Sequence, residues 1–244
     1  MSKIIYRIPA VRNREEYALD LCRKIEEPES SIFWDDERRG SVWNKFRIWE
    51  LYKQFPSVTH ICMLDDDADV VNNFKQIAEI AVSYFPDAIM TFCHCNANPV
   101  RYKEKGERTP YMLLKNYDFR GISVVLPVKY IEDYLAWHRR ELYWYKRDDT
   151  SLKMYAVLKH IPCMLTVPNI VRARDIPSAI HPWCQVRNSD LWTGYDVDIN
   201  QFKTGEYIVR KSEKMFDLHT SLDYPVLDEV RREYAKLLKM EKMR

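Results

Sequence analysis

Residues 60–74 read HICMLDDDADVVNNF, an apolar run of strand length followed by four aspartates within five residues. The run at residues 60–64 has the length and composition of a buried strand. The aspartates are Asp65, Asp66, Asp67 and Asp69. Carboxylates crowded this closely repel one another, so some would take up protons or extend into water unless a cation binds among them. The stretch therefore predicts a strand whose carboxyl end carries a charged site.

Strand and helix signals alternate on both sides of this stretch. The predicted order is strand 3–8, helix 13–25, strand 31–34, helix 41–55, strand 60–64, helix 72–85 and strand 88–93. Such alternation is typical of βαβ units. We therefore expect an α/β fold with a mostly parallel central sheet flanked by helices.

The second half of the chain is less regular. Residues 94–117 lack periodicity and carry charges and prolines, which predicts a long loop or flap. After it we predict strand 121–127, helices 128–145 and 150–160, a last strand at 163–167, an irregular segment from 172 to 220, and a terminal helix at 223–240.

Composition sets the broad class of the protein. The chain has 244 residues, 46% of them hydrophobic, which is enough for one sizeable core. A net charge of +2 gives no strong electrostatic preference for nucleic acid or membrane. Six scattered cysteines suit reduced thiols better than a disulfide framework. Because no signal peptide or membrane segment is evident, we expect a cytoplasmic protein.

A second acidic group follows a neighbouring strand. Asp35 and Asp36 come directly after strand 31–34. In an open parallel sheet, ligands bind beyond the carboxyl ends of the strands, so these carboxylates and the aspartate cluster should face one crevice. Mg²⁺ and Mn²⁺ prefer oxygen ligands, commonly one or two carboxylates plus substrate phosphate oxygens. Asp65 and Asp67 offer that number.

The aspartates also permit alternatives to a Mg²⁺ or Mn²⁺ site. A calcium EF-hand is excluded, because its sixth and twelfth positions would be Val70 and Gln76 and a strand precedes it. A haloacid-dehalogenase-type phosphatase, with its Asp-x-Asp starting at Asp67, stays open. Helix capping by Asp69 and Asn72 would account for those two residues but not for residues 65–67.

A strand ending in Asp-x-Asp within such an α/β half resembles the GT-A nucleotide-sugar glycosyltransferases, especially the family-2-like group. Further resemblance lies in IPAVRNREEYALDL (8–21), RGSVWNKFRIWEL (39–51), GISVVLP (121–127), KRDDTSLKMYAVLKHIPCMLTVPN (146–169) and IPSAIHPW (176–183). It covers about residues 3–183. It implies a GT-A-like catalytic domain at 1–183, with 184–244 as a C-terminal extension packed on the same domain.

The resemblance also implies roles for individual residues. Donor-binding candidates are Pro9, Ala10, Val11, Arg12, Asp35, Asp36, Asn44, Lys45, Arg47, Asp65 and Asp66, the last without an individual role. The implied metal ligands are Asp67, Asp65 and His181. Asp149 matches the catalytic base and Asp148 its partner. The family-2 pattern has Glu-Asp where this chain has Asp-Asp, so the choice between the two stays open.

The implied activity is metal-dependent, inverting transfer of a hexose or pentose from a nucleotide sugar, most typically a UDP-sugar, to a hydroxyl. The ion would be Mn²⁺ or Mg²⁺. One candidate acceptor is a hydroxymethylated pyrimidine in phage DNA, which would place a phage-encoded enzyme in the host cytoplasm. WHRRELYWYKR (137–147) interleaves aromatic and basic residues as a nucleic-acid surface does. Helical spacing offers an alternative, in which Leu135, Leu142 and Tyr145 belong to the core and the arginines to a solvated face. The alternatives are a saccharide or other small acceptor and an Asp-x-Asp phosphohydrolase.

Overall fold

A computed structural model describes residues 3–94, 109–114, 121–143, 145, 147–176, 191–210 and 225–242. Its helices are α1 Glu15–Lys24, α2 Ser41–Trp49, α3 Phe74–Tyr84, α4 Val128–Glu141, α5 Asp148–Leu158 and α6 Pro225–Lys242. Its strands are β1 Ile4–Ala10, β2 Ile32–Trp34, β3 His60–Leu64, β4 Ala68–Val70, β5 Ile89–Thr91, β6 Tyr111–Leu114, β7 Ser123–Pro127, β8 Cys163–Thr166, β9 Val171–Ala173 and β10 Tyr207–Arg210. Short 3₁₀ turns occupy Arg12–Arg14, Glu29–Ser31, Glu50–Gln54 and Ile199–Phe202.

Eight of these strands form one sheet in the order β10-β6-β8-β5-β7-β3-β1-β2. The pairs β1–β2, β1–β3, β5–β8 and β6–β10 are parallel. β7 runs antiparallel to both β3 and β5, and β6 runs antiparallel to β8. β4 and β9 form a separate antiparallel ribbon. The predicted α/β class with a large, mostly parallel central sheet flanked by helices is confirmed.

The central strand β3 shows how the helices flank this sheet. All five of its residues are buried. Ile61 and Met63 pack in one core cluster with residues of α2, α4 and α5, while Cys62 and Leu64 pack in a second with residues of α1 and α3. Alternate side chains of a strand point to opposite faces, so both faces are covered. The predicted bounds of this strand, 60–64, are confirmed.

Four strands lie where the sequence predicts none, and the first is β4, between the predicted strand 60–64 and helix 72–85. β6 falls within the predicted loop 94–117, and β9 and β10 follow the strand at 163–167 that was predicted to be the last. Tyr111 of β6 is fully buried and donates its hydroxyl to the Phe202 carbonyl at 2.8 Å. β6 pairs with the distant β10. Because such short strands form through pairing and packing with remote residues, they leave little local signal.

The terminal helix α6 packs on the same core. Val226, Leu227, Val230 and Tyr234 are buried in the cluster that also contains Leu152 of α5. The division into residues 1–183 and 184–244 stays a prediction. Within the described residues, no helix is both long and apolar enough to cross a membrane.

Candidate active site

Two acidic groups meet at the carboxyl end of β3. The first is the turn that follows Leu64, where the Asp65 N–H donates to the Ile122 carbonyl at 2.9 Å. The second is the first turn of α5, which carries Asp148 and Asp149. Lys45 of α2 lies between them, with Nζ 2.8 Å from Asp65 Oδ1 and 2.7 Å from Asp148 Oδ2. One ammonium group therefore joins residues that the sequence places far apart.

Lys45 is buried, with 4% of its surface exposed, and it also donates to the Gly121 carbonyl at 3.2 Å. Burial acts to lower the pKa of Lys45, but Asp148 and Asp65 outweigh it and the pKa is raised. The side chain is therefore a charged internal bridge. The contact of Lys45 with a nucleotide stays a prediction; in the structure its ammonium contacts Asp65, Asp148 and the Gly121 carbonyl.

Gly121 is packed tightly against this bridge. A Cβ at this position would lie 3.1 Å from Asp149 Cβ, 3.3 Å from Asp148 Oδ2 and 3.4 Å from Lys45 Nζ. A larger residue would push the acidic group aside. The glycine before β7 therefore allows the close approach of the sheet to the start of α5.

The structure distinguishes Asp148 from Asp149. Asp148 accepts hydrogen bonds at both oxygens from α2, at Oδ1 from Ser41 Oγ (3.1 Å) and at Oδ2 from Lys45. Asp149 Oδ1 accepts from the Thr150 N–H at 2.7 Å, within its own helix, and the side chain is 26% exposed. Both benefit from the helix N-terminus, which stabilises negative charge. Asp148 thus connects two helices.

Asp66 anchors the loop after β1. Its Oδ2 accepts from the Val11 N–H at 3.0 Å and its Oδ1 from Arg14 Nη1 at 2.9 Å. Asp66 is buried, and burial raises the pKa of Asp66 although both donors oppose the shift. Donor binding by Asp66 stays a prediction; in the structure both of its carboxylate oxygens accept from protein donors.

Arg14 is a site residue that the sequence did not identify. Its Nη1 also lies 3.0 Å from Asp67 Oδ2, and only 6% of the residue is exposed. The sequence gives only an indirect signal for the role of Arg14. Buried carboxylates require a cationic or hydrogen-bonding partner, but spacing does not say which of the many basic residues supplies it.

The predicted donor residues in β1 and after β2 hold the strand ends. Pro9 and Ala10 pair with Phe33 and Trp34 in the sheet. Asp35 is buried and accepts from the N–H groups of Arg39 and Gly40 at 2.8 and 2.7 Å. Asp35 thus closes the loop that leads into α2, which argues against a direct contact with a base or ribose.

The other predicted donor residues lie at different depths, since Arg12 and Asp36 are exposed and Asn44 is buried. Arg12 pairs with Asp36 at 2.7 Å, and its guanidinium lies 4.2 Å from the centre of the Trp34 ring. Arg47 donates to the Trp34 carbonyl at 3.0 Å and to Asn44 Oδ1 at 2.7 Å. Arg12 and Asp36 are exposed at the ends of β1 and β2, whereas Asn44 and Arg47 support β2 from α2.

Asp67 and Asp65 are the described carboxylates that could bind a divalent ion together with oxygens of a substrate. Asp67 is 26% exposed, and its Oδ1 accepts no hydrogen bond from the described residues. Asp65 lies beside it but is paired with Lys45. Within the described part of the chain, no group of three or more His, Cys, Asp and Glu side chains could hold a metal alone; His181 lies outside it. Mg²⁺ or Mn²⁺ with one or two protein carboxylates and substrate oxygens suits this arrangement.

Asp69 supports the turn from the other side. It is 3% exposed and accepts from Lys24 Nζ at 2.6 Å, Arg172 Nη2 at 2.9 Å and the Tyr195 hydroxyl at 2.6 Å. Burial alone raises the pKa of Asp69, but these hydrogen bonds outweigh it and hold the pKa at about 2. The carboxylate therefore fastens the β4–β9 ribbon to α1.

The predicted helix capping by Asp69 and Asn72 is wrong. Asp69 lies in β4, and Asn72 donates its side-chain amide to Asp196 at 2.7 Å. α3 begins at Phe74, and the preceding Asn73 makes no side-chain capping bond. Cationic partners from distant parts of the chain have taken the carboxylate that local sequence would assign to a helix end.

The segment 137–147 does not form a stacking surface within the described residues. Trp137, Leu142 and Tyr145 are buried, whereas Tyr143 is 80% exposed. Arg139 pairs with Glu50, and Arg140 with the adjacent Glu141 at 2.6 Å. The alternative prediction, that Leu135, Leu142 and Tyr145 belong to the core and the arginines to a solvated face, is confirmed. Trp144, Lys146 and most of the predicted flap lie outside the described residues.

Comparisons with known proteins add little to this picture. No protein-family model and no curated protein matches the chain. Solved structures that match include the crystal structure of a glycosyltransferase involved in the glycosylation of the major capsid of PBCV-1, with 12% identity, a TM-score of 0.32, and coverage of 66% of this chain and 80% of that one. A TM-score this low supports no argument about function.

We predict that Asp69→Asn lowers the free energy of unfolding by about 2 kcal/mol at pH 7. The folded pKa of about 2 lies below the ordinary value of 3.8. The stabilisation is therefore complete above the unfolded pKa and is lost as the pH falls toward 2. Urea unfolding should show that the difference in unfolding free energy between wild type and variant narrows as the pH falls from about 5 to about 2.5. A gap that stays constant over this range would contradict the assigned ion pairs.

Proposed function

We propose that the protein is a metal-dependent, inverting glycosyltransferase that moves a sugar from a nucleotide-diphosphate sugar, most typically a UDP-sugar, to a hydroxyl acceptor. One observation carries the proposal. Lys45 brings the carboxylates after β3 and those at the start of α5 into one cluster at the carboxyl end of the sheet. Ligands of open α/β sheets bind at that end.

Asp67 is the residue proposed to hold Mg²⁺ or Mn²⁺, with His181 as a further predicted ligand. When bound, such an ion neutralises charge on the departing diphosphate. Asp65, beside it, would contact the ribose or the ion while Lys45 holds it in place. Arg12 and Asp36, exposed at the neighbouring strand ends, remain available to the nucleoside.

On the acceptor side, Asp149 is proposed to act as the general base. It would accept the proton of the acceptor hydroxyl as that oxygen attacks the anomeric carbon. Attack from the face opposite the diphosphate inverts the configuration. Asp148, bound to Ser41 and Lys45, would position the start of α5 and leave the proton transfer to its neighbour.

The contacts weigh against two alternatives. A phosphohydrolase built on Asp67 and Asp69 needs the second carboxylate free to donate or accept a proton. Asp69 is instead buried and held by Lys24, Arg172 and Tyr195. The support for a DNA acceptor is reduced, because the aromatic residues Trp137 and Tyr145 are buried and only Tyr143 is exposed among the described aromatic residues of segment 137–147. A saccharide or other small hydroxyl compound is therefore the favoured acceptor.

The reaction is tested with a panel of UDP-, GDP- and TDP-sugars in Mn²⁺ or in EDTA. We expect one nucleotide to be released in Mn²⁺, with release abolished by EDTA and by Asp67→Asn. Mass spectrometry of added saccharides, and of DNA containing hydroxymethylcytosine or hydroxymethyluracil, would identify the acceptor. Hydrolysis of a phosphate monoester without turnover of any nucleotide sugar would refute the proposal.

The two aspartates at the start of α5 should respond differently to the same substitution. Asp149→Asn should lower kcat about 10²- to 10⁴-fold, the usual contribution of a general base, while donor affinity is retained. Asp148→Asn should weaken donor binding and stability together, because Lys45 loses a partner. Steady-state kinetics and donor titrations measure the difference, with the exposed Glu229→Gln as the charge-matched control. Equal losses in the two variants would show that the assignment of the base is wrong.

A further inference from the structure

The proposed ion ligand already has a protein cation beside it. Arg14 Nη1 lies 3.0 Å from Asp67 Oδ2 and 2.9 Å from Asp66 Oδ1. An arginine stays charged in proteins, even when buried. The donor site therefore carries one fixed positive charge before any metal ion enters.

This guanidinium is held independently of Asp67. Arg14 ends the 3₁₀ turn after β1, and its main-chain N–H donates to the Val11 carbonyl at 2.9 Å. The Val11 N–H in turn donates to Asp66 Oδ2 at 3.0 Å. Asp66, which is buried, thus fixes both the loop and the arginine. Arg14 would keep its place if Asp67 turned toward another ligand.

The position has opposite consequences for two kinds of ligand. A divalent ion bound to Asp67 alone would sit next to a like charge, which disfavours it. A nucleoside diphosphate brings negative charge, which the ion and the nearby guanidinium both attract.

We propose that Arg14 is a second cation of the donor site, which opposes binding of the metal ion alone and favours binding of the ion together with the nucleoside diphosphate. Metal and donor would then enter as one complex. This inference rests on the proposed function. The competing hypothesis is that Arg14 only neutralises Asp66 and supports the loop, in which case its loss would weaken both ligands by loosening the site.

The test uses the full chain as wild type, Arg14→Gln, Arg14→Lys and the control Arg23→Gln, whose arginine is exposed on α1. Mn²⁺ binding without nucleotide is measured by electron paramagnetic resonance of the free ion. Binding of UDP, GDP or TDP in saturating Mn²⁺ is measured by calorimetry. Circular dichroism checks that each variant is folded.

Arg14→Gln should bind Mn²⁺ alone about tenfold more tightly and the Mn²⁺–nucleotide about tenfold more weakly, as loss of one adjacent charge implies. Arg14→Lys, which retains the charge, should stay near wild type, and Arg23→Gln should match it. If Arg14→Gln does not fold, Arg14→Gln/Asp66→Asn removes both buried charges and should show the same two signs at smaller size.

The outcomes separate the inference from the function. If the two affinities move in the same direction, or neither moves, the inference is overturned while the proposed function stands. If neither the wild type nor any variant binds a nucleoside diphosphate in the presence of Mn²⁺, the proposed function fails and the inference fails with it.

Discussion

The buried ammonium of Lys45 is the contact on which the site depends. It lies within 2.8 Å of carboxylate oxygens from the end of β3 and the start of α5. Removing one partner of a buried ion pair leaves an uncompensated charge, which commonly costs about 3–5 kcal/mol. The position of α2, the turn after β3 and the first turn of α5 are therefore linked. Gly121 completes the arrangement by letting the sheet approach this bridge closely.

The four aspartates after β3 have different surroundings. Asp65 pairs with Lys45, Asp66 with Arg14 and Val11, and Asp69 with Lys24, Arg172 and Tyr195. Asp67 shares Arg14 and keeps one oxygen without a described partner. Protein cations thus relieve much of the repulsion that first suggested a metal ion. The remaining argument for an ion rests on the substrate, because a diphosphate leaving group brings new negative charge.

The sequence predicts part of the fold and part of the candidate site. β3 and the alternating elements before it were predicted well, because long apolar runs and helical periodicity are local signals. The sequence does not predict the short strands β4, β6, β9 and β10, because pairing with remote strands forms them. The clustering of acidic groups at strand ends followed from sheet topology. The cationic partners of those acidic groups could not be predicted. Arg14, just before α1, and Lys45, within α2, look like ordinary basic residues in the sequence. Asp69 was misassigned for the same reason, because its cations come from α1 and β9.

The most direct test of this linkage is a double-mutant cycle on Lys45→Met and Asp148→Asn, with urea unfolding free energies measured for the wild type, both single variants and the double variant. If Lys45 bridges the two acidic groups, each single change destabilises the protein. The double variant should then lose less than the sum of the two, with an interaction energy of about 1–3 kcal/mol. Additivity to within about 0.5 kcal/mol would contradict the bridge and the single site built on it.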